Sequence, residues 1–274
     1  MRIYISSDME GTAGVVDWDH VMVGGHLYDY YTGLLTNEIN AAIEGAMKAG
    51  ATEFLVNDAH SKMANLRPDA LAGAARYLSG RFKPMYMMQG LDATFDAVFF
   101  ISYHGSMGSR SSNLSHTYFP TAFAEVTLNG VVAGEAGINT LVAQAYGVPV
   151  VLVSGDQITA DELAPFAPGA FSAVVKESVT RFAANSLHPS EACRLIYDQA
   201  ALATASIPSA TPPVLTLPVT MAITFRTSDY ADLATRVHGV VRTGDLSAEI
   251  VEVDPLELYR VFITVVLLCR GLVE

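Results

Sequence analysis

The chain has 274 residues, about half of them apolar, which is enough for a buried core in one large domain or two modest ones. A formal net charge of −12 argues against a nucleic-acid partner, because a phosphate backbone requires basic patches. The most apolar runs, VVLVS, AVFFIS and FITVVLLC, fall well short of the ~20 residues that span a bilayer, so no membrane partner is expected and the runs read as buried strands or core helix.

The chain begins MRIYISSDMEG and reaches carboxylates at once, without the apolar stretch of a signal peptide. Cys193 and Cys269 lie far apart and outside any paired spacing, as buried thiols in a reducing compartment would. A cytoplasmic protein is the expectation.

In chain order, Arg2 to Ser7 predicts a strand, and Tyr28 to Lys48 a helix with Leu35, Ile39, Ala42 and Ala46 on its apolar face, ending at Gly50. Glu53 to Asn57 predicts a second strand, Arg76 to Leu78 a short one, and Ala97 to Ser102 a fully apolar one. HGSMGSRSSNLSH is too rich in Gly and Ser to be anything but a loop. Ala124 to Leu128 and Val131 to Ala133, split by Asn129-Gly130, predict a hairpin. A helix (Gly134 to Tyr146), a strand (Val148 to Ser154) and a helix (Asp156 to Phe166) follow. Past Pro208 to Pro213, the pattern predicts a strand over Val214 to Phe225, a helix over Ser228 to Arg236, a strand over Glu249 to Val253 and a final helix from Pro255.

Alternating strands and helices define an α/β protein with a mostly parallel sheet flanked by helices and a smaller C-terminal α/β lobe. The division is expected as a metal-binding domain over residues 1–185 and a smaller domain over 186–274, the latter taking in a helix around Ser190 to Thr204.

Asp8 and Glu10 stand at the end of the first strand, two residues apart, and so point the same way in an extended chain. His60 follows the second strand and His104 the apolar one, while Glu135 opens a helix in GEAGIN. In an open parallel sheet the C-terminal strand ends share one rim, where ligands bind. Singly, such residues also cap loops or make ordinary hydrogen bonds; three strand ends on one rim carrying metal-type side chains set these apart. Mixed imidazole and carboxylate donors suit zinc, and a shared carboxylate can bridge two ions. Five donors exceed what one catalytic zinc takes and fit a pair roughly 3.5–4 Å apart. An economical arrangement has Asp8 bridging, with Glu10 and His60 on one ion and His104 and Glu135 on the other. His116, at the end of the Gly/Ser-rich loop, is either a proton shuttle or a structural histidine packed beside Tyr118 and Phe119. His20, His26, His188 and His238 have no donor company and read as structural. The chain has no G-x-S-x-G elbow, P-loop or dinucleotide-binding turn, and neither cysteine sits beside a histidine.

SSDMEGTAG, VNDAHSKMANL, ISYHG, SHT and GEAGIN, in this order, resemble the zinc D-aminopeptidase family of bacterial dipeptide-transport operons, the DppA type. The resemblance covers at least residues 1–160 and continues more loosely beyond them. It implies hydrolysis of N-terminal D-amino acids from short peptides and amides, two zinc ions per subunit, and a ring-stacked homodecamer enclosing a chamber. Motif by motif, it carries the family's metal ligands to Asp8, Glu10, His60, His104 and Glu135, and the catalytic histidine to His116. The chain departs from the family pattern at Ser102 and Gly105, around His104, and in the length of the loop before His116. Two other functions fit the same donors: a metal phosphoesterase, for which Lys62 and Arg110 are the only basic residues inside the motifs, and a non-enzymatic peptide-binding accessory of a transporter.

Overall fold

The structure, a computed structural model, describes residues 1–73 and 75–272. The first sheet contains β1 (Arg2–Ser7), β2 (Glu53–Asp58), β3 (Ala75–Leu78), β4 (Ala97–Tyr103), β7 (Val150–Asp156), β8 (Phe171–Thr180) and β9 (Ala183–Ser186), in the order β3-β2-β1-β4-β7-β8-β9. All neighbours are parallel except β8 and β9. β4 and β7 are buried along their whole length, as central parallel strands covered on both faces must be.

One face of this sheet is covered by α2 (Tyr28–Lys48) and α5 (Pro189–Ser206), which pack against each other. Leu35, Ile39 and Ile43 of α2 meet Ala192, Ile196, Ala200 and Ala203 of α5 in one apolar cluster. The helices approach so closely that a Cβ on Gly45 would lie 2.2 Å from the Tyr197 carbonyl oxygen. On the other face, α3 (Glu135–Tyr146) and α7 (Pro255–Cys269) pack together, with α7 also touching the second sheet. That sheet is antiparallel and runs β11-β12-β10-β5-β6, from β5 (Phe123–Leu128), β6 (Val131–Val132), β10 (Val219–Phe225), β11 (Val240–Arg242) and β12 (Ser247–Glu252).

The mostly parallel sheet flanked by helices is as expected, and the remaining strands form a second, antiparallel sheet. Sheet membership does not change at residues 185 and 186. β5 and β6 precede that point yet join β10, and α5 follows it yet belongs with α2 because its small-residue face fits that helix. β8, β9 and β11 were not anticipated from the pattern. β8 carries Lys176 and Glu177 in mid-strand, against the usual strand composition. The strand expected from Val214 begins only at Val219, because Pro218 has no N–H for the ladder.

Candidate metal centre

Since β1, β2 and β4 run parallel, their C-terminal ends lie side by side, and the segments leaving them carry Asp8 and Glu10, His60, and His104 respectively. The DMEG turn docks directly on the end of β4. Asp8 N–H donates to Ile101 O at 2.9 Å and Gly11 N–H to Ser102 O at 2.8 Å. Glu135 is the first residue of α3, and its carboxylate accepts from Tyr118 N–H at 2.7 Å.

The five side chains form two overlapping clusters that share Asp8. In the first, His60 Nδ1 lies 3.2 Å from Asp8 Oδ1 and 3.0 Å from Glu10 Oε2. In the second, His104 Nε2 lies 3.3 Å from Asp8 Oδ2 and 3.8 Å from Glu135 Oε1. The donor atoms of Asp8, Glu10 and His60 all lie within 4.8 Å of one another, as do those of Asp8, His104 and Glu135. His116 Nε2 is 3.5 Å from Glu135 Oε1, and its ring stacks on that of His104 with centroids 4.2 Å apart. Glu10, His104 and His116 make a third such cluster.

Backbone carbonyls set the imidazole tautomers. His60 Nε2 lies 2.8 Å from Val21 O, in α1 (Trp18–Val21), His104 Nδ1 2.9 Å from Gly105 O, and His116 Nδ1 3.0 Å from Leu114 O. A carbonyl only accepts, so each of those nitrogens donates, and the opposite nitrogen of each ring faces the carboxylates. An imidazole nitrogen at these distances from carboxylate oxygens calls for a cation between them, a proton or a metal ion. Asp8 Oδ2, Glu10 Oε2 and His104 Nε2 are all buried without a hydrogen-bond partner, a costly state for polar atoms that a shared cation would relieve. The donor set therefore fits metal ions.

Ionisation follows the same field. Burial lowers the affinity of His60 and His104 for a proton, but the surrounding carboxylates override it, raising His60 well above its usual value and His104 to about 10. Asp8 is held well below the carboxylate range: the pull of His104 and His60 outweighs burial. Burial pushes Glu135 up to about 8. The cluster thus draws positive charge to the points where its donors converge. Burial, reinforced by positive charge on His104, lowers His116 to about 4 and leaves it a neutral base.

Residues that the sequence did not single out hold these donors in place. Lys176, fully buried in β8, donates to the carbonyls of Glu10 (2.5 Å), Val15 (2.8 Å) and Thr12 (3.1 Å) and to Asn113 Oδ1 (3.1 Å). Glu38 of α2 accepts from Ala13 N–H at 2.8 Å and from the Ser102 hydroxyl at 2.6 Å, giving a role to one departure from the family pattern. Asp58 accepts from the Asn65 and Leu66 amides, and Asn65 Nδ2 donates to His60 O at 2.8 Å, so the NDAHSKMAN segment folds around its histidine. The remaining histidines are outside the three donor clusters found among the described residues. His20, for example, stacks on Tyr31. Lys62 and Arg110 are exposed and do not line the pocket at the cluster.

That pocket has a volume of about 300 Å³. Glu10, Glu135 and His116 form its polar wall, and Trp18, Met22, Tyr86, Met87, Tyr118 and Phe119 much of the rest. Among the described residues, Arg270 is the one lysine or arginine on its lining.

The sequence profile of the Peptidase_M55 family, described as D-aminopeptidase, matches residues 1–264. The chain belongs to the D-aminopeptidase family. It is 35% identical to a D-aminopeptidase of Bacillus subtilis (strain 168) over 264 residues, covering 95% of this chain and 94% of that one. Its structure is similar to that of the Zn-dependent D-aminopeptidase DppA from Bacillus subtilis, described as a self-compartmentalizing protease. The TM-score is 0.93 at 32% identity, with 98% of each chain covered. The match extends through the second sheet and α7, where the sequence motifs alone were loosest.

Proposed function

We propose that this chain is a zinc-dependent aminopeptidase that removes N-terminal amino acids, of D configuration, from short peptides and amides, using two zinc ions per subunit. The observation that carries this reading is Asp8, whose two carboxylate oxygens face two separate donor clusters. In it, Asp8, Glu10 and His60 would hold one zinc ion, and Asp8, His104 and Glu135 the other. Zinc bound there supplies Lewis acidity, which acidifies water and polarises a carbonyl.

The chain's own groups account for the rest. Glu10 and Glu135 reach the pocket wall and provide the negative charge that an N-terminal ammonium seeks. His116, fixed by Leu114 O and neutral, offers Nε2 to take a proton from the attacking nucleophile and return it to the leaving amine. Trp18 stands 5.6 Å edge to face with His116, beside an aromatic wall that surrounds the ring.

A homo-oligomer, decameric and enclosing its active sites, is part of the same proposal. One cross-strand row of the second sheet runs Val241, Glu249, Ala222, Thr127, Val132, with Val251 nearby, so the three exposed valines stand among polar side chains. What supports the oligomer is the similarity to a self-compartmentalizing protease. No helix among the described residues is long and apolar enough to cross a membrane, and Cys193 and Cys269 are free, which supports a cytoplasmic placement.

Plasma emission spectrometry together with a panel of D- and L-aminoacyl amides tests the proposal. Two zinc per chain and release of the N-terminal D-residue are expected. A fully active metal-free preparation, turnover of phosphate esters instead of amides, or peptide binding without turnover would each replace it.

A further inference from the structure

We infer that Arg270 is the specificity residue that receives the C-terminal carboxylate of a short peptide, making dipeptides with a free carboxylate better substrates than their amides. This rests on the aminopeptidase reading and extends it to the far end of the substrate.

Arg270 follows α7 and lines the pocket that contains Glu10, Glu135 and His116. Its guanidinium stands over the rings of Tyr86 and Phe119, at 5.4 and 5.7 Å. Its hydrogen bond among the described residues runs from Nη2 to Tyr118 O at 3.2 Å, while Nε is buried with no partner. Among the described residues it forms no ion pair with a carboxylate, even though the chain carries 28 acidic and 16 basic residues. A guanidinium has five N–H donors in a planar fork that matches a carboxylate. Here the two rings and the Tyr118 carbonyl hold that fork, and among the described residues much of its donor capacity is unspent.

The surroundings point the same way. An adjoining cleft shares Ser61, Tyr86 and Arg270 with the pocket and adds Arg81 and Lys83, whose buried ammonium donates to Asn57 Oδ1 and the Asp58 carbonyl; among the described residues no carboxylate lines it. Carboxylates therefore concentrate at the metal-type cluster and positive charge at Arg270. An aminopeptidase substrate that is a free dipeptide has the matching polarity, with an ammonium at one end and a carboxylate at the other. A volume of about 300 Å³ lies at the small end of the ~300–1,000 Å³ typical of ligand pockets, a size for a dipeptide and not for a long chain. In an apolar-walled site, charge-assisted bonds from a preorganised guanidinium are worth roughly twice neutral ones.

The test is steady-state kinetics on D-alanyl-D-alanine and its C-terminal amide with the zinc-loaded full chain. Wild type is expected to show a lower KM for the free dipeptide. Arg270→Gln should raise KM for the free dipeptide by about 10–100-fold with kcat changed far less, leave the amide within about threefold, and abolish the preference between them. Arg270→Lys should recover part of the lost preference, since it restores charge without the fork. Equal loss on both substrates would assign Arg270 to structure, and an unchanged KM for the dipeptide would remove it from the carboxylate site; either overturns the inference. If wild type cleaves the amide well and the dipeptide no better, the inference fails while the aminopeptidase reading stands. If wild type cleaves neither, that reading fails and this inference with it.

Discussion

Replacing Gly11 by alanine puts the geometry of the DMEG turn to a direct test. A Cβ at this position would lie 2.0 Å from Tyr103 O and 2.4 Å from Ser102 C, both backbone atoms of the β4 end. Ordinary van der Waals contact begins near 3.4 Å, so turn and strand end must separate by about 1.4 Å (3.4 less 2.0). Because both are backbone, no side-chain rotation relieves the clash. Asp8 and Glu10 sit on one side of that contact and His104 on the other, two residues past Ser102. The separation therefore displaces Asp8 from His104 Nε2 by a large fraction of their 3.3 Å distance. Overpacking of this kind costs ~1–3 kcal/mol of stability, and a 1 Å error in a reacting constellation costs ~100-fold in rate. The expected result is a folded chain with kcat/KM reduced by about 100-fold or more and zinc that yields to a chelator at lower concentration than in wild type. Gly33→Ala is the control: nothing lies within 4 Å of its added methyl, it is exposed on α2, and a helical Gly→Ala gains ~1 kcal/mol. Wild-type turnover and zinc retention in Gly11→Ala would refute the placement of the metals between the β1 turn and the β4 end.

Two further outcomes follow from the same structure. His116→Ala should lower kcat by about 10²–10⁴-fold with zinc content unchanged; loss of zinc would instead make it a ligand, as its cluster with Glu10 and His104 allows. Glu38 is pushed up to about 7 by burial, so its folded value lies above the unfolded one of 4.5 and the neutral form favours the folded state. Its contribution is fully present below pH 4.5 and is lost as pH rises to about 7. Glu38→Gln should flatten thermal stability across that window, and an unchanged pH profile in a melting series would discount Glu38.

The metal-type residues were legible in the sequence because each lies within a few positions of a strand that periodicity identifies. A parallel sheet then does the remaining work, since it aligns the C-terminal ends of β1, β2 and β4 whatever the intervening lengths. Glu135 was accessible for a similar reason, as the first residue of a helix that the Asn129-Gly130 hairpin introduces. The smaller lobe was harder to bound. The antiparallel sheet pairs β5 with β10, about ninety residues apart, and nothing local in either strand names its partner. Helix α5 shows the same limit, for its small-residue face fits α2 only once both helices lie on the sheet.

Arg270 and Lys176 were illegible for different reasons. Arg270 lies 135 positions beyond Glu135 and reaches the pocket only because α7 packs on α3, so no motif spacing could place it. Lys176 did leave a local trace: a lysine directly after the apolar run AVV, in a buried stretch of strand, is a conflict between composition and burial. Such conflicts persist where the fold needs them. Here a strand in the sheet interior accepts a buried ammonium because three carbonyls of the turn after Glu10, which has no regular ladder to satisfy them, require a donor. The turn cannot be regular, since it must present Asp8 and Glu10 to the two clusters and still lie flat against β4. The irregular backbone at the centre of the site and the buried cation in β8 are therefore one feature, the second supplying the hydrogen bonds that the first cannot make for itself.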